Sequence, residues 1–307
     1  MPKFRVEESI IVTAPAEKVY KVVSDFNHWT AWSPWLILEP GVKVDVAPDT
    51  KSYTWEGNSV GSGKMKITDE QPNQQVTYDL HFLKPWKSYA RVQFRIEEIN
   101  EGTKVTWLMD SGLPFFLFWM KKQMVAFLRM DYARGLAMLK DYVEDDKVHS
   151  ELEFPGTGTY EGSTYLGVKS TCAIDTIDIA MDKDFELLRN TIGEDRENIS
   201  GQEFSIYHKW DFANNKASYT ACIPVKQIPD DLPGEVTTGT IPQVQVHTVR
   251  HIGPYGHLGN AWSAQYMKVR NKAFKPNKKV APFEVYVNDP ADVSELELVT
   301  EVHFPIK

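Results

Sequence analysis

The sequence contains little cysteine and no long apolar run. Two cysteines in 307 residues, Cys172 and Cys222, are too few and too far apart for a disulfide framework or a thiolate metal site. The most hydrophobic stretch runs from Leu113 to Met120 and ends at two lysines, far short of the roughly 20 residues that cross a bilayer. The N-terminus lacks the continuous apolar region of a secretory signal. We therefore expect a cytoplasmic protein with no membrane partner.

Basic residues are also sparse. The net charge is −8, and the longest basic cluster, Lys275 to Lys279, contains only three lysines. Such a chain repels a phosphate backbone, so we expect no nucleic-acid partner. The net charge is −1 for residues 1–150 and −7 for residues 151–307. The acidic second half favours neutral or cationic ligands over anionic ones. Aromatic residues reach 12% of the chain, which suits cavities for flat or greasy ligands.

The first half has the pattern of an antiparallel sheet with one long helix. Residues 3–13 alternate between apolar and polar side chains, as do the runs around residues 76–82, 92–96 and 105–109, so each strand has one buried and one solvated face. A short helix is predicted after Pro15, where the proline sits early in the first turn. Apolar residues then step by three and four from Val125 to Val143 and predict a long helix.

This half contains four short motifs in order: Ile11 to Tyr20, Asp25-Phe26, Trp29 to Trp35 and Gly61 to Ile67. They resemble the SRPBCC superfamily, also called START-like or polyketide cyclase/dehydrase-like. The resemblance implies a helix-grip fold, in which a curved sheet wraps the long helix and encloses an apolar tunnel. It implies no universal catalytic residue. Two interpretations stay open for Trp29, Trp32 and Trp35: they pack under a loop, or they line the cavity.

The second half shows one pattern twice. A linker is predicted at residues 148–159, where proline and glycine are frequent, between a first domain of residues 1–147 and a second of residues 160–307. The order strand, helix, strand, strand spans residues 165–225 and recurs over residues 243–306. The fold class is therefore α+β throughout. A duplicated unit would place a cleft between its copies, near a pseudo-twofold axis, and such junctions favour ligand sites.

This half contains three motifs in order: His251 to Tyr255 with the Leu258 and Trp262 that follow, Phe283 to Pro290, and Thr300 to Ile306. They resemble the GyrI-like small-molecule-binding family, which includes effector domains of AraC- and MerR-type regulators. The resemblance implies a pocket of aromatic rings around acidic residues that receives lipophilic cations. It also implies pocket positions for Glu284 and Glu301, and His303 stands where relatives often carry an aromatic residue.

Seven residues are candidates for ligand binding: Glu284, Glu301, Trp262, Tyr255, Tyr286, His303 and Tyr165. Glu284 lies between apolar neighbours in a short strand, and a buried carboxylate there needs a cation or a hydrogen-bond donor. A bound cation could meet it, with a cation–π contribution from Trp262 or Tyr286 of about 0.5–2 kcal/mol. The alternative places Glu284 on the solvated face of an edge strand. Trp262 can belong to the core, to the pocket wall or to both.

No cofactor and no metal ion are predicted. Gly253 to Gly256 form a turn before a helix but lack the Lys-Ser/Thr of a phosphate loop. His247 and His251 would share a strand face, yet no third ligand follows nearby, so paired surface histidines are the favoured interpretation.

The favoured function is the binding of lipophilic small molecules, cationic ones included, for sensing or sequestration, by a regulator-like domain without a DNA-binding segment. One alternative is a detoxifying hydrolase of strained electrophiles, with Glu284 as general base and Tyr255 or Tyr286 as proton donor. Another is a cyclase- or dehydratase-type activity in the first domain, for which Asp79, His81 and Asp110 are the candidates. Their alternation with apolar residues predicts that all three face outward.

Overall fold

The computed structural model describes residues 3–85, 87–112 and 119–307. The chain divides into two compact units, residues 1–150 and residues 151–307. Each unit contains one antiparallel sheet whose strands pair only with one another. Within these described ranges, no helix has the length and apolar character needed to span a membrane.

The first unit is a seven-stranded antiparallel sheet with the order β1-β7-β6-β5-β4-β3-β2. Its strands are β1 (Lys3–Val12), β2 (Lys43–Val46), β3 (Ser52–Glu56), β4 (Ser62–Gln71), β5 (Gln75–Lys84), β6 (Ser88–Ile99) and β7 (Gly102–Gly112). Its helices are α1 (Ala16–Val23), α2 (Trp29–Trp32) and the long α3 (Lys121–Asp145). Helix α3 packs along β1, so the predicted helix-on-sheet arrangement is confirmed.

The alternation predicted for the strands separates the two faces of this sheet. Val76, Tyr78 and Leu80 of β5 are buried, whereas Asp79 is exposed and His81 stacks edge-on against the exposed Tyr89. On β7, the exposed Asp110 is held by Arg5 in a bidentate pair at 2.7 and 2.9 Å. The residues considered for a cyclase- or dehydratase-type site therefore lie outside the interior, as the alternation predicts.

Two of the three tryptophans that follow α1 are core residues. Trp29 and Trp32 are buried, and both make edge contacts with Trp107 of β7. Trp107 in turn stacks on Tyr132 of α3 with ring centroids 4.0 Å apart. Trp35 is half-buried. These rings occupy the space between the sheet and the long helix at this level, where the resemblance implies an apolar tunnel.

The second unit is an eight-stranded antiparallel sheet with the order β12-β9-β11-β10-β14-β15-β13-β8. Its strands are β8 (Glu151–Tyr160), β9 (Ser163–Cys172), β10 (Phe204–Asp211), β11 (Lys216–Pro224), β12 (Val236–Ile241), β13 (Val244–Ile252), β14 (Phe283–Tyr286) and β15 (Val299–Pro305). Its helices are α4 (Ile177–Ile192) and α5 (Gly259–Arg270). The duplicated order is confirmed as β9-α4-β10-β11 and β13-α5-β14-β15.

Two edge strands lie outside this duplication. The segment 148–159, predicted as a linker, instead contributes most of β8, which pairs with β13 from Glu151 to Tyr160. An edge strand uses only one row of backbone groups in the sheet, so it tolerates Pro155 and the glycines that suggested a linker. The second is β12, which pairs with β9.

The two helices pack beside the centre of the sheet, so that side chains cover its two central strands. Helix α4 packs against β9 and β11, and helix α5 packs against β13 and β15. The second strands of the two copies, β10 and β14, lie side by side between these pairs. Because directly opposed residues of antiparallel strands point to the same face, Ser205, Glu284 and Val302 share one face of the sheet. We call it the helical face, because α4 and α5 lie on it.

Candidate functional site

Glu284 lies at the centre of the helical face, on a strand with neighbours on both sides. Strand β14 is hydrogen-bonded to β10 and to β15, and only 2% of the Glu284 surface is exposed. The interpretation of Glu284 as a solvated residue of an edge strand is therefore excluded. An ionised carboxylate at such depth requires hydrogen-bond donors in place of water.

Three neutral donors supply those hydrogen bonds. The hydroxyl groups of Tyr207 and Tyr286 lie 2.6 and 2.8 Å from Oε1 of Glu284, each placed to donate a hydrogen bond to it. The indole Nε1 of Trp262 donates to Oε2 at 2.6 Å. Oε1 thus accepts two bonds and Oε2 accepts one, so Oε2 retains capacity for one more donor. We call Glu284, Tyr207, Tyr286, Trp262 and the nearby Tyr255 the Glu284 site.

Burial and hydrogen bonding act on this carboxylate in opposite directions. Removal from water raises the pKa of Glu284, and the bonds from Tyr207, Trp262 and Tyr286 lower it. The effect of burial is the larger, so the pKa lies above its ordinary value. The group therefore combines a buried position with a raised affinity for a proton, as is common at functional sites.

Both helices contribute side chains to the site. Trp262 of α5 is buried, and its ring makes an edge contact with Tyr207 at 4.8 Å between centroids, so it serves the core and the site together. From α4, Phe185 meets the ring of Tyr286 at 5.8 Å, and Met181 lies 3.7 Å from the Tyr286 hydroxyl. These contacts fix the donors against the carboxylate.

Tyr255 lies at the rim of the site. It belongs to the short turn before α5, its ring is 5.6 Å from that of Tyr286, and 39% of its surface is exposed. Partial burial is the largest cause that raises the pKa of Tyr255 to about 12, followed by the nearby charge of Glu284. Its hydroxyl therefore stays protonated at neutral pH.

The sequence patterns missed the contribution of β10. Ser205 and Tyr207 face Glu284 and Tyr286 because Ser205 pairs directly with Glu284. The Tyr286 hydroxyl lies 3.0 Å from Ser205 Oγ. The duplication in the sequence indicates this contribution of β10, since β10 and β14 are the equivalent strands of the two copies and would meet at a pseudo-twofold axis.

Three predicted site residues lie on the opposite face of the sheet. Glu301 pairs with Val285, and His303 pairs with Phe283. Because Val285 and Phe283 flank Glu284 on β14, the side chains of Glu301 and His303 point to the face opposite Glu284. Tyr165 lies on the same far side, where its ring meets Phe204 at 5.4 Å. The expectation that all seven candidates line one wall is therefore corrected, because side chains alternate along a strand.

Glu301 and His303 have other partners. Arg250 donates two hydrogen bonds to Oε1 of Glu301 at 2.7 and 3.1 Å. His303 Nε2 lies 3.4 Å from Oε2, and its Nδ1 is 2.8 Å from the hydroxyl of Thr248. The hydrogen bonds from His303 and Arg250 outweigh burial and lower the pKa of Glu301 to about 2. Glu301 is thus an anion held by its own ion pair.

The paired histidines are not surface residues. His251 is fully buried, and His247 Nδ1 lies 2.8 Å from Oε1 of Gln265 while its ring stacks on Phe274. Across residues 3–85, 87–112 and 119–307, no group of three or more His, Cys, Asp and Glu side chains is arranged to hold a metal ion.

Sequence models of two known families match the two halves of the chain. The family described as polyketide cyclase/dehydrase and lipid transport matches residues 3–144, and the GyrI-like small-molecule-binding domain matches residues 161–307. Both resemblances drawn from the motifs are thereby confirmed. A search of the curated proteins finds no match.

Solved structures show distant similarity to parts of the chain. In the cryo-EM structure of an EcmrR–DNA complex, the matching chain is 16% identical over 62% of this chain and 69% of its own, with a TM-score of 0.42. The C-terminal domain of EcmrR is 18% identical over 52% of this chain and 98% of its own, with a TM-score of 0.41. The Aha1 dimer from Colwellia psychrerythraea is 20% identical over 47% of this chain and 98% of its own, with a TM-score of 0.36.

Proposed function

Because the chain joins a domain of the polyketide cyclase/dehydrase and lipid transport family to a GyrI-like small-molecule-binding domain, we propose that it senses or sequesters a lipophilic small molecule at the Glu284 site. The observation that carries this proposal is the buried carboxylate of Glu284, surrounded by aromatic rings between two helices. A site of this kind combines a large apolar surface with one polar group that orients the ligand.

A cationic ligand agrees with the charges around the site. Oε2 of Glu284 accepts one hydrogen bond, from Trp262, and so can accept another from a ligand ammonium or amidinium group. The rings of Tyr286 and Trp262 can add cation–π contacts, and the net charge of −7 for residues 151–307 raises the local concentration of cations. We propose no nucleic-acid or membrane partner for this site.

A second candidate is hydrolysis of a strained electrophile. The raised pKa of Glu284 favours it, because a carboxylate with increased proton affinity is a better general base toward water. Oε2 has the acceptor capacity to hold that water. The exposed Tyr255 at the rim is the candidate proton donor to the leaving group, whereas the Tyr286 hydroxyl already lies against Glu284.

A thermal-shift screen with mass spectrometry separates the two candidates. The intact protein is screened against lipophilic cations, fatty acids and flat aromatic electrophiles, and each hit is recovered and weighed after incubation. A stabilising compound that returns unchanged indicates binding, and one that returns with the mass of one added water indicates hydrolysis.

Two matched variants then locate the site. Glu284→Gln should weaken a cationic hit by about 1–3 kcal/mol, the scale of a hydrogen bond to a charged group. Glu301→Gln removes the same charge on the neighbouring strand but on the opposite face, so it should leave that affinity unchanged. Unchanged affinity in Glu284→Gln would refute the role of Glu284, and weakening by Glu301→Gln alone would move the site to the other face.

A further inference from the structure

Strand β12 is an edge of the second sheet, and its outer row of backbone groups points away from the sheet. It pairs on one side only, with β9. On β9, the carbonyl of Thr164 accepts a hydrogen bond from Val225, on the side away from β12. Thr164 pairs with Thr240, so this pair is not hydrogen-bonded, and the N–H and C=O of Thr240 point outward. Because the pattern alternates along a strand, those of Thr238 point outward as well.

Two amide donors of each chain are available at this edge. Val236 also points outward, but its N–H bonds to the carbonyl of Pro233 at 2.9 Å. Thr238 and Thr240 are exposed, and within the described part of the chain neither amide bonds to a backbone group outside the sheet. Their N–H and C=O groups are therefore open to the addition of a further strand.

The other edges of the two sheets carry features that oppose such an addition. Strand β8 contains Pro155, a shift of register in its pairing with β13, and two glutamates. Strand β2 has only four residues, two of them charged, and four of the first six residues of β1 are charged. Natural sheets protect their edges by charges, prolines and irregularities of this kind. The six residues of β12 include no charge and no proline, and their pairing with β9 is regular, so this edge lacks that protection.

A second copy of β12 fits this edge in an antiparallel register centred on Gly239. Thr238 of each copy then lies opposite Thr240 of the other, so both free N–H groups of each chain meet a free carbonyl. Gly239 faces its own copy as a non-hydrogen-bonded pair, in which the Cα atoms approach to about 4.5 Å, and it brings no side chain to that contact. Glu235, just before the strand, lies opposite Gln243, so like charges are not opposed.

We propose that two copies of this chain associate through β12 about a twofold axis, so that their second sheets form one continuous antiparallel sheet of sixteen strands. The contact uses one strand of six residues from each copy. Such an interface is small, so we expect a weak dimer whose population depends on concentration. This proposal does not depend on the proposed function of the Glu284 site.

Sedimentation velocity of the full-length protein, at concentrations up to about 1 mM, measures this association. The average mass should rise with concentration from that of the monomer toward twice that value. Thr238→Pro removes one of the two free donors of each chain, and an edge strand tolerates proline where the N–H faces outward. The dissociation constant of the dimer should rise about 10- to 100-fold, the scale of two lost net hydrogen bonds.

Thr157→Pro is the matched control, on the other edge strand of the same sheet. The carbonyl of Gln245 on β13 accepts from Ile306, on the side away from β8. Thr159 pairs with Gln245 and therefore points outward, and Thr157, two residues before it, does so too. The same substitution thus removes the same kind of outward N–H, and the dissociation constant should stay at the wild-type value.

A circular-dichroism melt of each variant verifies that it folds. If Thr238→Pro does not fold, the double variant Thr238→Lys/Thr240→Lys replaces it, because it places like charges directly opposite each other across the pair. A wild-type protein that stays monomeric at every concentration overturns the proposal. A dimer that persists unweakened in the folded β12 variant, or one that Thr157→Pro weakens equally, also overturns it.

Discussion

The hydrogen bond between Trp262 and Glu284 should be the most strongly coupled contact of the site. Nε1 donates to Oε2 at 2.6 Å, and both side chains are buried. A hydrogen bond to a charged group contributes about 1.5–3 kcal/mol, and the smaller ring of Trp262→Phe loses roughly 1 kcal/mol of packing. Trp262→Phe should therefore lower the free energy of unfolding by about 2–4 kcal/mol.

A double-mutant cycle isolates the charge-assisted part of that cost. In Glu284→Gln the amide oxygen can still accept from Trp262, while the amide nitrogen can donate to the two tyrosine hydroxyls. The remaining bond is neutral and contributes about 0.5–1.5 kcal/mol, so the coupling energy should be about 1 kcal/mol or more. Urea unfolding of the full-length protein and its three variants, followed by far-UV circular dichroism, measures it. Coupling below about 0.3 kcal/mol, the range of additive sites, would refute this reading of the contact.

The pH dependence of the same proteins gives a second check on the carboxylate. Burial raises the pKa of Glu284 in the folded state, so the folded protein binds this proton more tightly than the unfolded chain does. Stability should therefore fall as the pH rises from about 4.5, the ordinary value, through the folded pKa. Glu284→Gln should lack this fall. Trp262→Phe removes a hydrogen bond that lowers the pKa of Glu284, so the fall in stability of this variant should extend to higher pH. Identical stability–pH profiles for the wild type and Glu284→Gln would contradict the assignment of this fall to Glu284.

Three further expectations concern the rest of the chain. The folded pKa of Glu301 is about 2, so the stabilisation that its charge provides above pH 4.5 should be lost as the pH falls toward 2. Glu301→Gln should lower the free energy of unfolding by about 1–2 kcal/mol at pH 7 after solvent screening, and an unchanged urea midpoint would contradict this expectation. Gly135→Ala should destabilise the first unit by about 1–3 kcal/mol despite the better helix propensity, because its Cβ would lie 2.6 Å from the Trp107 ring; a gain in thermal stability would refute this. Residues 1–150 and 151–307, expressed separately, should each give a cooperative melt, and a division at residue 155 should fail because it cuts β8.

Local patterns were sufficient to predict most of the fold. Alternation of period two identified the long strands, and the step of three and four identified α3, because burial of one face imposes those periods directly. No strand was predicted for β2 and β3 of the first sheet, and in the second sheet β12 and most of β8 were missed. Strands β8 and β12 lie at the edges of the second sheet. Their sequences contain Pro155, several glycines and several threonines, and their place in the sheet depends on pairing with β13 and β9 rather than on a local pattern.

For the site, the sequence predicts only which side chains share a face within a single strand. Glu284 and Tyr286 are two residues apart on β14, so their common face follows from the sequence. Glu301 also matched a motif, but its neighbour Val302 is the residue opposite Glu284, and an offset of one residue moves a side chain to the other face. Tyr207 could be assigned only from the pairing of β10 with β14, which joins positions 77 residues apart.

The duplication explains why the carboxylate lies where it does. The second strand of each copy, β10 or β14, ends up in the middle of the sheet, while each helix covers the first and last strands of its own copy. The central pair is then covered by side chains that reach inward, Trp262 from one helix and Met181 from the other. Neutral donors from both copies hold the carboxyl group of Glu284, and within the described part of the chain no cationic side chain bonds to it. If the ligand is the cation proposed above, it would use the free capacity of Oε2 rather than replace a resident partner, and we expect its binding to leave the bond from Trp262 intact.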